Sequence, residues 1–273
     1  MDSAEVTEAY NPYRSFIDGW LIQQSVIRAL ALREMQTRYG RDNIGFLWMV
    51  AEPLMLASVI TSLHQLAPAG ENGASMAPFP FALIGYCVFI IFRNSFNRSE
   101  GALYAAGALS YHAQITPFDI MASKSLVEMT GAVLAFALLS GVGIMLGLME
   151  LPVRPLYLFA AFIAMALMTH GMCMVVAAVT YTNHVLGRFV HAFSYFMFPL
   201  SGAFFTVSFL PPWARPVILW NPMMTIFETA RYGMFVNATP AYIYPEYIIG
   251  FIMLMWCWGL VCIRNVRKYI HAN

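Results

Sequence analysis

Six stretches of this chain, near residues 47–66, 79–96, 126–149, 156–181, 189–209 and 247–263, hold the roughly 20 mostly apolar residues that a helix needs to cross a bilayer core of about 30 Å. Inside hydrocarbon each backbone N–H and C=O must be satisfied within the segment, so these runs are read as helices. Composition removes the main alternative. Only 11% of the 273 residues are charged and 60% are hydrophobic, whereas a soluble domain carries about 25% charged residues. A water-soluble surface could not be covered from that supply. The chain is therefore read as an all-α integral membrane protein with about six transmembrane helices and no soluble catalytic domain. No uninterrupted apolar signal region occurs in the first ~40 residues, so the first apolar segment is expected to act as an uncleaved insertion signal.

Orientation follows from the basic residues. Arg14, Arg28, Arg33, Arg38 and Arg41 precede the first span, Arg93, Arg98 and Lys124 follow the second, Arg188 follows the fourth, and Arg264, Arg267 and Lys268 follow the last. Only Arg154, Arg215 and Arg231 fall on the other side, and this asymmetry places both termini in the cytoplasm. The expected division is a cytoplasmic N-terminus over residues 1–46, a six-span transmembrane domain over 47–264 and a cytoplasmic tail over 265–273. Within the first part, residues 15–39 read as an amphipathic helix on the inner membrane surface, with Phe16, Trp20, Ile27 and Leu30 roughly on one face. The cytoplasmic stretch 99–125 is long for a connection, with a break expected at Pro117. Residues 210–246, rich in Pro, Trp and Tyr, read as an outer-face re-entrant or interfacial segment between spans five and six.

Several chemistries lack their residues. The two lysines, Lys124 and Lys268, are not preceded by glycine, so there is no GK[ST] sequence and no P-loop route to ATP hydrolysis. HExxH, GxSxG and DxD sequences are also missing. Cys87, Cys173, Cys257 and Cys262 sit in or beside apolar runs without metal spacing, and read as small packing residues. Ion-coupled carriers bury ionisable residues at the midplane. Here Glu52, His64, Glu128 and His170 are the candidates, and His170 alone is clearly central; a lone histidine reads first as a packed neutral side chain. No metal, nucleic acid or bound cofactor is expected of this chain.

Two segments are more specific. One is RALALREMQTRYGRDNIGFLWMVAEPL, residues 28–54, a basic amphipathic helix running into a span that Pro53 kinks. The other is WNPMMTIFETARYGMF, residues 220–235. Together they resemble the membrane subunit of ABC-2 type exporters, closest to the branch exporting bacterial capsular polysaccharide. The resemblance covers essentially the whole chain. It implies a homodimer paired with two copies of a separate ABC ATPase, which would bind the ATP and Mg, and a lipid-linked polysaccharide as substrate. Periplasmic co-polymerase-type and outer-membrane export proteins would continue the route from the inner membrane. The alternatives are a same-fold exporter of O-antigen, teichoic acid or a drug, and a membrane enzyme acting on lipid-linked intermediates.

The candidate site residues follow. Arg33, Arg38 and Arg41 cluster where an anionic lipid anchor would arrive from the inner leaflet; guanidinium forks suit phosphate, and the plain alternative is anchoring to headgroups. By resemblance, the loop holding Tyr111, His112, Pro117 and Asp119 supplies the coupling contact to the ATPase. Trp48, Tyr195, Phe196 and Phe198 are candidate channel aromatics, whose faces let sugar rings slide past, with lipid-facing or packing roles as the alternative. Glu228 and Arg231, three apart on a helix, are expected to form an outer-face structural pair. Trp213, Trp220 and Tyr232 read as interfacial anchors. Gly143 and Gly147 read as a small-xxx-small seam for close helix approach.

Overall fold

The computed structural model describes residues 12–39, 51–59, 61, 62, 76–105 and 115–270. Seven helices organise them: α1 (Pro12–Tyr39), α2 (Pro78–Ser99), α3 (Pro117–Met145), α4 (Pro155–Thr182), α5 (Gly187–Leu200), α6 (Pro222–Met234) and α7 (Pro245–Ile270). Residues 51–59, 61 and 62 are also helical. All of the seven except α5 open on proline, whose missing N–H costs nothing in a first turn and whose φ is already helical.

These ends revise two expected boundaries. The third long helix begins at Pro117, within the stretch read as a cytoplasmic connection. Thr116 and Asp119 form a capping box there: Asp119 N–H donates to Thr116 Oγ1 at 3.2 Å, and Thr116 N–H donates to Asp119 Oδ2 at 2.9 Å. The same helix stops at Met145. Gly147 takes φ 70°, with its N–H on Ile144 O and Leu148 N–H on Gly143 O, which is a Schellman closure. The seam expected of Gly143 and Gly147 is therefore corrected. Gly147 turns the chain, and Gly143 makes room for Phe79 and Met149. The close helix approach lies instead between α4 and α7, where Gly171 faces Met255 and Trp256 and Gly259 faces Met174 and the Gly171 carbonyl.

Among the described residues, α2, α3, α4 and α7 are long and apolar enough to cross a membrane. Nearly every side chain of α2 is buried, since α3, α4, α5 and α6 all pack on it. On the outer faces of the other helices, Leu134, Leu138, Phe159, Ile249, Met253, Leu254 and Val261 are exposed. So wide an apolar surface belongs against lipid.

The other two expected crossings are the runs at 47–66, described only at 51–59, 61 and 62, and at 189–209. The second of these is not one uninterrupted helix. α5 has 14 residues, about 21 Å of helix, and closes just after Pro199. Gly202 then adopts φ 85° with its α-carbon face against Met224, and the chain returns through short turns to α6. α6 has 13 residues, is buried along most of its length and packs on α4, with α2 and α7 beside it. At the opposite end of the bundle α1 lies across α3, with Ile27 half-buried against the bundle, Trp20 bordering it while still exposed, and Leu21, Ile22 and Leu32 exposed.

Candidate functional site

The polar side chains that penetrate the bundle collect on the half of α2 nearest α1. Tyr86 donates a short hydrogen bond to the Glu52 carboxylate, and Arg93 Nη1 lies 3.5 Å from the same carboxylate. The Arg93 guanidinium also stands 5.4 Å from the ring centre of Tyr195 on α5. Tyr86 and Arg93 are seven residues apart, two helical turns, and so present both groups to one neighbour. One position further round, Asn94 donates to Glu128 at 3.3 Å and Arg98 reaches it at 3.0 Å, tying α2 to α3. His191 of α5 meets Glu100 at 2.9 Å just beyond the helix end. A charged residue at a helix centre in lipid costs roughly 2.5–3.5 kcal/mol, so such groups are retained where they face partners or a pathway.

This grouping is the part that sequence reasoning missed. Arg93 interrupts the end of the expected run 79–96 and is counted in the sequence reading with the basic residues of the loop beyond it. It lies inside α2, because the apolar pattern resumes beyond it with Phe96 and carries the helix on to Ser99. That resumption was the available signal; the partnership with Glu52, forty-one positions away, had none.

Tyr195 and Phe196 are exposed on α5 beside this cluster. Phe198 turns away from them. Its ring stands edge-on to Phe89 and to Phe204 at 5.0 Å, so it packs on the core. Trp48 lies outside the described residues.

Glu228 and Arg231 make a buried cross-tie. Their side chains are 3.4 Å apart and almost fully enclosed. Glu228 Oε1 accepts the Val207 N–H at 3.0 Å, while Arg231 donates to the carbonyls of Gly202 and, at 3.1 Å, Ala203. The guanidinium also rests 4.5 Å from the Phe81 ring centre. The pair thus holds the turn after α5 onto α6 and α2, and is closed to any passing ligand. Tyr232 stacks on the Arg154 guanidinium at 4.1 Å, and Trp213 and Trp220 are exposed.

At the other end, Asp119 departs from the expected coupling role. Its side chain is buried, accepts from Thr116, and accepts from Gln23 Nε2 of α1 at 3.0 Å. It fastens α1 to the first turn of α3 and is not presented to a partner, and Pro117 beside it is the helix's first residue. Tyr111 and His112 lie outside the described residues. Arg33 is exposed beside a small polar recess at the same crossing, where Lys124 pairs with Glu34 at 3.1 Å. Arg41 and the side chain of Arg38 lie outside the described residues.

Among the described residues, a helical bundle with wide exposed apolar faces, a further helix fastened across it and paired charges along its most buried helix defines a membrane-spanning protein. Residues 25–235 match the ABC-2 type transporter family, and the chain belongs to it. Over 259 residues it is 32% identical to the capsule polysaccharide export inner-membrane protein CtrC of Neisseria meningitidis serogroup B, covering 95% of this chain and 97% of that one. Capsule polysaccharide export inner-membrane protein BexB of Haemophilus influenzae is 31% identical over 264 residues, 97% of this chain and 99% of its own. The polysialic acid transport protein KpsM of Escherichia coli is 25% identical over 254 residues, 90% and 95% of the two chains.

Proposed function

We propose that this chain is the inner-membrane subunit of an ABC exporter that moves lipid-anchored capsular polysaccharide out of the bacterial cytoplasm. It works as a homodimer, with both termini cytoplasmic and two copies of a separate ATPase beneath it. The observation that carries the reading is the end-to-end likeness to capsule export inner-membrane proteins, at 32% and 31% identity with almost complete coverage of both chains. A likeness confined to one motif would speak for the fold alone.

The chain's own chemistry suits the task. Tyr195 and Phe196 offer aromatic faces on which sugar rings can slide without being gripped. Arg93, braced by Glu52 and beside Tyr195, supplies a cation that an acidic sugar or phosphate can meet, and its brace keeps the charge satisfied between passages. The basic residues Arg33, Arg38 and Arg41 would receive the anionic anchor from the inner leaflet. ATP and Mg are expected in the partner ATPase, and export proteins of the periplasm and outer membrane would take the polymer onward.

Deleting the gene in an encapsulated host and restoring it on a plasmid tests this reading directly. Surface capsule should vanish and return, polymer should accumulate inside the deleted cells, and an ABC ATPase should copurify with the tagged chain. Normal surface capsule in the deletion strain would assign the chain another cargo.

A further inference from the structure

A cavity of about 400 Å³ lies where α1 crosses the bundle, walled by the start of α3, the middle of α4 and α7. It falls within the ~300–1,000 Å³ range of small-molecule sites. Its walls are apolar, chiefly the rings of Trp20, Phe118 and Trp256 with Ala122 and Ala166 between them. An apolar recess of this kind would ordinarily shrink by repacking. This one is held open by a scaffold of rings: Phe118 stands edge-on to His170 at 5.4 Å, and Trp256 lies 5.1 Å from His170 while its Nε1 donates to the Leu167 carbonyl at 2.9 Å.

The second observation is His170 itself. It is 5% exposed and lines the cavity; its Nδ1 lies 3.0 Å from Ser125 Oγ, and its Nε2 has no hydrogen-bond partner among the described residues. In the tautomer where Ser125 Oγ donates to Nδ1, Nε2 carries the hydrogen and seeks an acceptor. A buried donor left unsatisfied is costly enough that a partner is expected in the cavity. The partner must be apolar over most of its length and carry a carbonyl or hydroxyl oxygen.

The position of the opening identifies it. Leu126 and Leu167, at the rim, are exposed on the lipid-facing surface, and Trp20 is exposed on α1. Arg28, one helical turn beyond the rim residue Gln24, is exposed on the same helix, at the level where an anionic headgroup would sit. We infer that this cavity is a binding site for a bilayer glycerophospholipid, with one acyl chain between α1, α3, α4 and α7, an ester carbonyl on His170 Nε2 and the phosphate beside Arg28. Such a lipid fills the gap beneath α1 and fastens that helix to the bundle. It belongs to the membrane and is separate from the exported cargo, so it does not rest on the export reading.

The test uses the full chain in vesicles of phosphatidylethanolamine and phosphatidylglycerol, doped with phosphatidylglycerol carrying a photoactivatable diazirine on one acyl chain. After illumination, peptide mapping should find adducts on the Phe118–Met129 stretch and at Trp256, alongside general labelling of the exposed α7 face. Ala122→Trp fills the cavity and should abolish the first set while leaving the α7 face labelled. Ala166→Leu, a smaller intrusion from α4, should reduce it several-fold if the larger variant fails to accumulate. His170→Phe keeps the ring and removes the donor, and should lower labelling about fivefold, the worth of one hydrogen bond. Unchanged adducts in all three variants, or none in the wild type, would overturn the proposal. So would labelling confined to membranes from cells making polymer, because the cavity would then belong to the cargo's anchor.

Discussion

At the scale of single residues, the deepest commitment is Arg231. Its guanidinium is buried, pairs with Glu228, and divides its other hydrogen bonds between two carbonyls of the turn after α5. Breaking a buried pair by removing one partner costs about 3–5 kcal/mol, because the other charge stays enclosed. Arg231→Met should therefore lower the temperature at which the detergent-solubilised protein loses its monodisperse gel-filtration peak, and reduce its abundance in membranes. Arg231→Lys should rescue little, since an ammonium cannot span Glu228 and the Gly202 and Ala203 carbonyls as a planar fork does. Full stability of either variant would show that the cross-tie is dispensable. The same scale shows where reading a sequence succeeds. Glu228 and Arg231 stand three apart on one helix, so their pairing is local and legible. Glu52 and Arg93 meet only because two elements pack, and nothing in either neighbourhood announces it.

Between residues and helices, two contacts decide how elements dock. Gly85 of α2 lies against the backbone carbonyl of Ala203, so close that a methyl group would overlap it. Backbone cannot rotate aside as a long side chain can. Gly85→Ala should push the α5–α6 turn off α2, loosening the Arg231 cross-tie as well. The expected result is faster chymotrypsin cleavage after the exposed Trp213 than in the wild type, with the wild-type rate counting against the contact. The second contact is the capping box before α3. Thr116→Ala removes an N-cap worth about 1 kcal/mol in most helices. The effect here should be larger, because Asp119, which the cap orients, also holds Gln23 of α1. Thermal unfolding of Thr116→Ala alongside Gln23→Ala and the double variant measures that coupling, and purely additive losses would mean the two contacts are independent. The expected starts at 79, 156 and 247 fall within two residues of the helix-opening Pro78, Pro155 and Pro245. The start at Pro117 was underestimated because the polar stretch around it reads as a loop, although its T-P-F-D order is a start signal.

Across the whole molecule, the arrangement of basic residues sets the prediction. In a background without the native cysteines, single cysteines at Ala105 and in the C-terminal tail should resist a membrane-impermeant thiol reagent in intact cells. Cysteines at Gly73 and Asn237 should react. Labelling of the Ala105 position from outside would invert the map. Moving Arg93 from a loop into α2 removes one residue from the asymmetry without altering its direction, since Arg98, Lys124 and the arginines of α1 remain at one end. The sequence by itself determined that this is a helical membrane protein, which motifs mark its family, and that it carries no P-loop of its own. Those properties are written in composition, run length and short spacing, all of which act locally along the chain. Tertiary structure alone decided that the run after residue 189 breaks at Leu200, that Phe198 packs on the core, that Asp119 is a fastening, and that His170 lines a cavity. Each of these depends on which surfaces meet across long separations, and side chains are sorted into wall, brace or lining only when a second element arrives to cover one side of them.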